Sequence, residues 1–92
     1  MGVVRISGPD ISVFAAAITA RELVPRQATF CHFMGANTEV IDEGVAIYFP
    51  APASFTGEHV LELQGYGGPV ILDALVQRCV QLGARPARPG EF

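Results

Sequence analysis

The sequence predicts an α+β fold in which two helices pack on a mostly antiparallel or mixed sheet. Two observations indicate this class. Several short segments alternate apolar and polar residues, as strands do, most clearly at 59–64. Two other segments, near either end of the chain, repeat apolar residues every three or four positions, as helices do. The predicted order of elements is β-α-β-β-β-β-α-β.

The first two predicted elements are a strand and a helix. Residues 2–8 form the strand, with Arg5 set among aliphatic residues. Asp10 is expected to cap the helix that follows. Its apolar face is formed by Ile11, Phe14, Ala15 and Ile18. We expect this helix to run to about Leu23, because Pro25 cannot continue it.

The middle of the chain is rich in strand-forming residues. The aromatic segment 29–34 and the short segment 39–42 predict a hairpin, with its turn at 35–38. A break is expected at 43–44. The nearly continuous apolar run 45–49 then predicts a central strand that is covered on both faces.

The last third combines a strand with the second helix. We predict a turn at 55–58, a strand at 59–64, and a helix in which Pro69 occupies the first turn. Its apolar stripe consists of Leu72, Leu75, Val76, Cys79 and Leu82. Gly83 follows where a left-handed residue ends many helices, and 84–87 is a candidate final strand.

Composition limits the class of protein. The chain has 92 residues, which make one domain or less, and 50% of them are hydrophobic against 16% charged. We infer that part of the apolar surface is covered by further chain or by a second subunit. The net charge of −3 gives no basic patch for nucleic acid. No apolar run approaches the ~18 residues that span a bilayer, so no membrane is expected as a partner.

Nothing in the sequence predicts a catalytic or metal centre. Cys31 and Cys79 form no CxxC motif and are expected to be reduced, buried thiols of a cytoplasmic protein. His32 and His59 have no neighbours at metal-ligand spacing, so a structural or surface role is favoured for both. Cys31 and His32 cannot act as a nucleophile and base, because adjacent strand residues face opposite ways.

The bend Gly65-Tyr66-Gly67-Gly68 has two interpretations. Its backbone N–H groups and the following helix could bind an anion. It lacks the Lys and Ser/Thr of a nucleotide-binding P-loop, however, and its spacing favours a tight turn between strand and helix.

Two charged residues stand in the middle of otherwise apolar strands. Arg5 and Glu62 could form a cross-strand ion pair. Alternatively, they could line a polar pocket for a planar heterocycle, with the carboxylate on an amino-pyrimidine edge and the guanidinium on a carbonyl or carboxylate. The residues alone leave both interpretations open.

A family resemblance covers nearly the whole chain. The segments GVVRISG and LVPRQATF, and the ordered series FTGE, LELQG, GGP and ARPGEF, resemble the N-terminal domain of the MnmE (TrmE) family of tRNA modification GTPases. The resemblance implies a tetrahydrofolate-binding, homodimerising domain, similar in fold to the folate-binding domain of aminomethyltransferases. It implies that Arg5 and Glu62 contact 5-formyl-tetrahydrofolate. Further candidates for cofactor contact are Gln64, Gly65, Tyr66 and Gly67.

The resemblance also implies what lies outside this segment. Family members act with the flavoprotein GidA (MnmG) on carbon 5 of the wobble uridine of tRNA. Their GTP, K⁺ and Mg²⁺ are bound by a GTPase domain that this segment lacks. We therefore expect residues 1–92 to be a single, truncated N-terminal domain without a catalytic centre. The family usually has histidine where this chain has Tyr66. A purely structural assembly module that binds no folate is the alternative function.

Overall fold

The computed structural model describes residues 2–8, 11–50, 59–83 and 85–86. In these ranges the chain forms five strands and two helices. The strands are β1 (Gly2–Gly8), β2 (Thr29–Met34), β3 (Val40–Phe49), β4 (His59–Gly65) and β5 (Arg85–Pro86). The helices are α1 (Ile11–Thr19) and α2 (Pro69–Gln81). The described ranges contain no helix long and apolar enough to cross a membrane.

The five strands form one sheet in the order β2-β3-β4-β1-β5, and every described pairing is antiparallel. The predicted α+β class is therefore confirmed. The hairpin of β2 and β3 has its turn where the sequence placed it, closed by a hydrogen bond from Gly35 N–H to the Glu39 carbonyl (2.8 Å). The predicted Asp10 cap and the turn at 55–58 lie outside the described residues. The final strand predicted at 84–87 is described at Arg85–Pro86, where it forms β5 and pairs with β1.

Both helices pack on the same face of the sheet, where they build the core. The apolar faces predicted for them are confirmed, since Ile11 and Ile18 of α1 and Leu75 and Cys79 of α2 are fully buried. The sheet contributes Val4, Ile6, Cys31, Phe33, Ala46, Leu61 and Leu63 to this core. Pro69 begins α2 as expected, and Gly83 takes the predicted left-handed conformation with φ of 93°.

The first helix is shorter than predicted. It ends at Thr19 rather than near Leu23, and Pro25 does not terminate it. Ala20 adopts a left-handed conformation with φ of 57°, which turns the chain out of the helix. The Thr19 hydroxyl donates a hydrogen bond to the Ala15 carbonyl oxygen at 2.6 Å, the contact with the carbonyl four positions back that threonine commonly makes in a helix.

The predicted break at 43–44 was wrong, because β3 runs through it without interruption. Gly44 is buried in the strand, and a Cβ atom there would overlap the backbone carbonyl oxygen of Gln64. Glycine is thus required here for the close approach of two strands rather than for a turn. The central position of 45–49 is confirmed, since β3 lies between β2 and β4. Coverage on both faces stays a prediction, since Val45 and Ile47 are half-buried within the described ranges.

We call the sheet surface opposite the helices the open face. It carries the side chains that alternate with the core residues. They are Val3, Arg5 and Ser7 of β1, Val60, Glu62 and Gln64 of β4, Glu43, Val45, Ile47 and Phe49 of β3, and Phe30 and His32 of β2. Val3 and Phe30 are 48% and 56% exposed. Val60 and Ser7 on the same face are buried, so the face is open only in part. Within the described ranges, its accessible side chains are mainly apolar and surround the charged pair.

Candidate functional site

Arg5 and Glu62 meet at the centre of the open face. The β1–β4 register places them directly opposite each other, and Arg5 Nε donates a hydrogen bond to Glu62 Oε1 at 2.8 Å. The Glu62 side chain is only 10% exposed, whereas that of Arg5 is 41% exposed. A carboxylate so far removed from water requires partners that offset its lost hydration. The structure therefore brings together the two charged residues that the sequence singled out.

Gln64 completes this cluster. Its amide Nε2 donates to the second carboxylate oxygen of Glu62, Oε2, at 2.7 Å. Both oxygens of the buried carboxylate are thus hydrogen-bonded to protein. In the described part of the chain, every buried side-chain nitrogen or oxygen has a hydrogen-bond partner. A ligand that binds Glu62 must share these bonds or replace Gln64, whose flexible amide is the easier group to displace.

Aliphatic side chains flank the cluster along the next strand. Ile47 lies opposite Glu62 in the β3–β4 register, and Val45 lies opposite Gln64. Both are half-buried and leave apolar surface beside the charged centre. A flat ring could lie on these side chains while its polar edge reaches the carboxylate, which is the usual division of labour in small-molecule sites.

The glycine bend is a tight corner whose backbone binds a carboxylate of the protein itself. Gly67 N–H donates to Asp42 Oδ2 on β3 at 2.9 Å. A Cβ atom at Gly65 would overlap this same oxygen, and one at Gly67 would overlap Ile71. The bend therefore packs against protein groups on its inner side, as the interpretation of a tight turn predicts.

The further cofactor candidates are thus distributed over two sides of the sheet. Gln64 belongs to the cluster with Arg5 and Glu62. Gly65 is buried on the helix side, under Asp42, and Gly67 faces the same carboxylate. Tyr66 is 55% exposed just beyond the end of β4. Among the four, only Gln64 has a hydrogen bond to the charged pair in the described structure.

The sequence interpretation missed Asp42 and a second polar pair. The hydroxyl of Tyr48 lies 2.9 Å from Nδ1 of His59, and the two rings stack with their centroids 5.9 Å apart. This contact gives His59 the structural role that was favoured for it. The contacts of Asp42 with Gly67 and of Tyr48 with His59 both join separate segments of the chain, so the local sequence gave no signal for either contact. Among the described residues, no group of three His, Cys, Asp or Glu side chains could hold a metal ion.

The two cysteines are buried and free, as expected. Burial raises the pKa of the Cys79 thiol to about 11, with Arg78 partly opposing the shift. Burial also raises the pKa of Cys31, against a smaller opposing effect of Arg21. Both side chains are therefore thiols rather than thiolates near neutral pH, which is unfavourable for nucleophilic chemistry.

Comparison with known proteins identifies clear relatives. A family model described as the N-terminus of the GTP-binding protein TrmE matches residues 1–92. A tRNA modification GTPase MnmE from Thiobacillus denitrificans is 60% identical over 92 residues, which are 100% of this chain and 21% of that protein. The protein of the same name from Pseudomonas fluorescens is 62% identical over the whole chain and 20% of its own length. The chain thus spans about a fifth of the length of these relatives.

Proposed function

Because the chain belongs to the family of TrmE N-terminal domains, we propose that it is the folate-binding and dimerisation domain of a tRNA modification GTPase. The name that these relatives share, tRNA modification GTPase, supports the assignment to tRNA modification and GTP hydrolysis. The observation that carries the folate proposal is the cluster of Arg5, Glu62 and Gln64, set at the centre of an apolar sheet face.

The proposed ligand is 5-formyl-tetrahydrofolate or a related tetrahydrofolate. Its reduced pterin ring offers an amino-pyrimidine edge with N–H donors, which match the two oxygens of the Glu62 carboxylate. The ring would lie on Ile47 and Val45 and displace the amide of Gln64 from Glu62. The guanidinium of Arg5, partly exposed beside this carboxylate, suits a carbonyl or carboxylate group of the same ligand. Similarity to the folate-binding domain of aminomethyltransferases belongs to this proposal.

The second half of the proposal is assembly. The open face leaves apolar side chains such as Val3 and Phe30 half-exposed. The chain also has few charged residues, so electrostatic repulsion between two copies is weak. A second copy of this domain would cover such a surface. In the whole protein, the dimer would act in the cytoplasm with the flavoprotein GidA (MnmG) on carbon 5 of the wobble uridine of tRNA. GTP, K⁺ and Mg²⁺ would bind outside this segment.

An assembly module without folate binding is the competing function. One observation favours it: the Glu62 carboxylate already has a partner on each oxygen, so the cluster is satisfied without a ligand. In that case Arg5 and Glu62 serve as an internal ion pair that fixes the strand register.

Calorimetry on the full-length protein tests the two functions against each other. We expect 5-formyl-tetrahydrofolate to bind, and Glu62→Ala to weaken binding about ten- to a hundredfold, since a buried charged hydrogen bond contributes about 1.5–3 kcal/mol. Glu43→Ala is the matched control, because Glu43 is an exposed carboxylate on the same face, 3.3 Å from His32. Equal affinities for the parent and Glu62→Ala would contradict the folate site. A dimer in sedimentation that binds no folate would establish the assembly module instead.

A further inference from the structure

The carboxylate of Asp42 binds the glycine bend 65–68, which forms the corner between β4 and α2, and is itself fixed by a second hydrogen bond. Oδ2 accepts the hydrogen bond from Gly67 N–H at 2.9 Å, across 25 positions of sequence. Oδ1 accepts a hydrogen bond from the N–H of Glu43 at 2.8 Å. The first bond ties the corner to β3, and the second fixes the orientation of the carboxylate on its own strand.

Gly65 makes this arrangement possible. It is the last residue of β4 and lies beneath the carboxylate, where a Cβ atom would overlap Asp42 Oδ2. An alanine at this position could be accommodated only if the carboxylate moved away from Gly67. Asp42 and Gly65 therefore depend on each other, although they lie on different strands.

The corner begins directly after the cluster on the open face. Gln64 precedes Gly65 in β4 and reaches Glu62 Oε2 from there, while exposed Tyr66 follows it. Any shift of the corner moves the backbone from which both side chains extend. From this geometry we propose that Asp42 is a positioning residue of the ligand site: it fixes the end of β4, and with it the backbone that carries Gln64 and Tyr66 at the border of the space where a ring would bind Glu62. This inference rests on the proposed folate-binding function.

The chemistry requires a carboxylate rather than an amide at this position. Two backbone N–H groups point at the two oxygens, and both need an acceptor. Asparagine would offer one oxygen and one NH₂ group, so one of the two N–H groups would face another donor. We therefore expect Asp42→Asn to fall between the parent and Asp42→Ala.

The test is a double-mutant cycle on the full-length protein, with calorimetric titration of 5-formyl-tetrahydrofolate. We expect Asp42→Ala and Gly65→Ala each to weaken binding about tenfold, the effect of one misplaced polar contact. The double variant should be weakened far less than the hundredfold product, because each change breaks the same contact. Thr19→Val is the control for general destabilisation, since it removes a buried hydrogen bond from α1 and should leave affinity unchanged.

Hydrogen–deuterium exchange of the peptide that covers the corner gives a second readout. Asp42→Ala and Gly65→Ala should speed exchange at Gly67 about tenfold, and Thr19→Val should not. If the parent binds folate and Asp42→Ala binds equally well, the inference is overturned. Additive effects in the cycle would also overturn it. If the parent binds no folate, the proposed function fails, and exchange at Gly67 then decides separately whether Asp42 holds the corner.

Discussion

Arg5 and Glu62 form an ion pair of unequal burial, in which the carboxylate is nearly enclosed and the guanidinium is open to water. The loss of Arg5 should therefore change stability by a different amount from the loss of Glu62. Arg5→Met leaves Glu62 with a buried charge and Gln64 as its remaining partner, which we expect to cost about 1–2 kcal/mol. Glu62→Met removes the buried charge itself and leaves a guanidinium that water can solvate, so it should cost less.

Urea unfolding of the two variants and of the Arg5→Met/Glu62→Met double variant measures this asymmetry. We expect the double variant to be closer to the parent than Arg5→Met, because an apolar pair of similar volume replaces the ion pair. A double variant that loses the sum of both single effects would show that the two side chains act independently.

Cys79 should make stability depend on pH in the alkaline range. Its folded pKa, about 11, lies above the ordinary value of 9.0 because burial disfavours the thiolate. The folded state therefore keeps its proton where the unfolded state has lost it. Stability is fully present below about pH 9 and is lost as the pH rises towards about 11. Two pKa units correspond to about 2–3 kcal/mol.

The control for this prediction is Cys79→Ala, measured by urea unfolding over the same pH range. The sequence contains no lysine, and every other side chain is common to both proteins, so a difference between the two pH profiles isolates the effect of Cys79. The parent should lose more stability than the variant as the pH rises. Parallel profiles would contradict the assignment of the effect to the Cys79 thiol.

Local sequence patterns were sufficient to predict much of this fold. The stripe of α2 identified its buried face, and Pro69 and Gly83 marked its two ends, because helix termini are determined by neighbouring residues. Strand alternation at 59–64 likewise separates Glu62 from Leu61 and Leu63, which the structure places in the core. It could not place Arg5 opposite Glu62, since the register depends on how two distant strands pair.

The wrong break at 43–44 and the missed role of Asp42 both arise from contacts between distant segments. Gly44 suggested a break, yet β3 continues through it. The residue is glycine because the backbone of β4 passes too close for a side chain. Asp42 carried no local signal, because its role depends on a bend 25 positions away. The candidate site was therefore predictable as a set of charged residues, but the corner that supports it was not.

Two glycines near the corner should respond to substitution in opposite directions. Gly44→Ala places a methyl group on the carbonyl oxygen of Gln64, a backbone atom that cannot move away cheaply, so we expect a loss above about 3 kcal/mol. Gly68 precedes α2 with φ of −76° and has open space around its Cβ position. Gly68→Ser should add a helix cap and restrict the unfolded chain, a gain of about 0.5–1 kcal/mol. Thermal unfolding of both variants checks the two signs.

The end of α1 offers a stabilising substitution with an internal control. Ala20 is held at φ of 57°, where its Cβ atom costs about 1 kcal/mol relative to glycine, and its N–H bonds the Ala16 carbonyl at 3.0 Å. Ala20→Gly should therefore raise the free energy of unfolding by about 0.5–1 kcal/mol. Ala16→Gly, an exposed position inside the same helix, should lower it by about 1 kcal/mol. Equal destabilisation by both glycines would show that residue 20 is helical in solution and that α1 extends beyond Thr19.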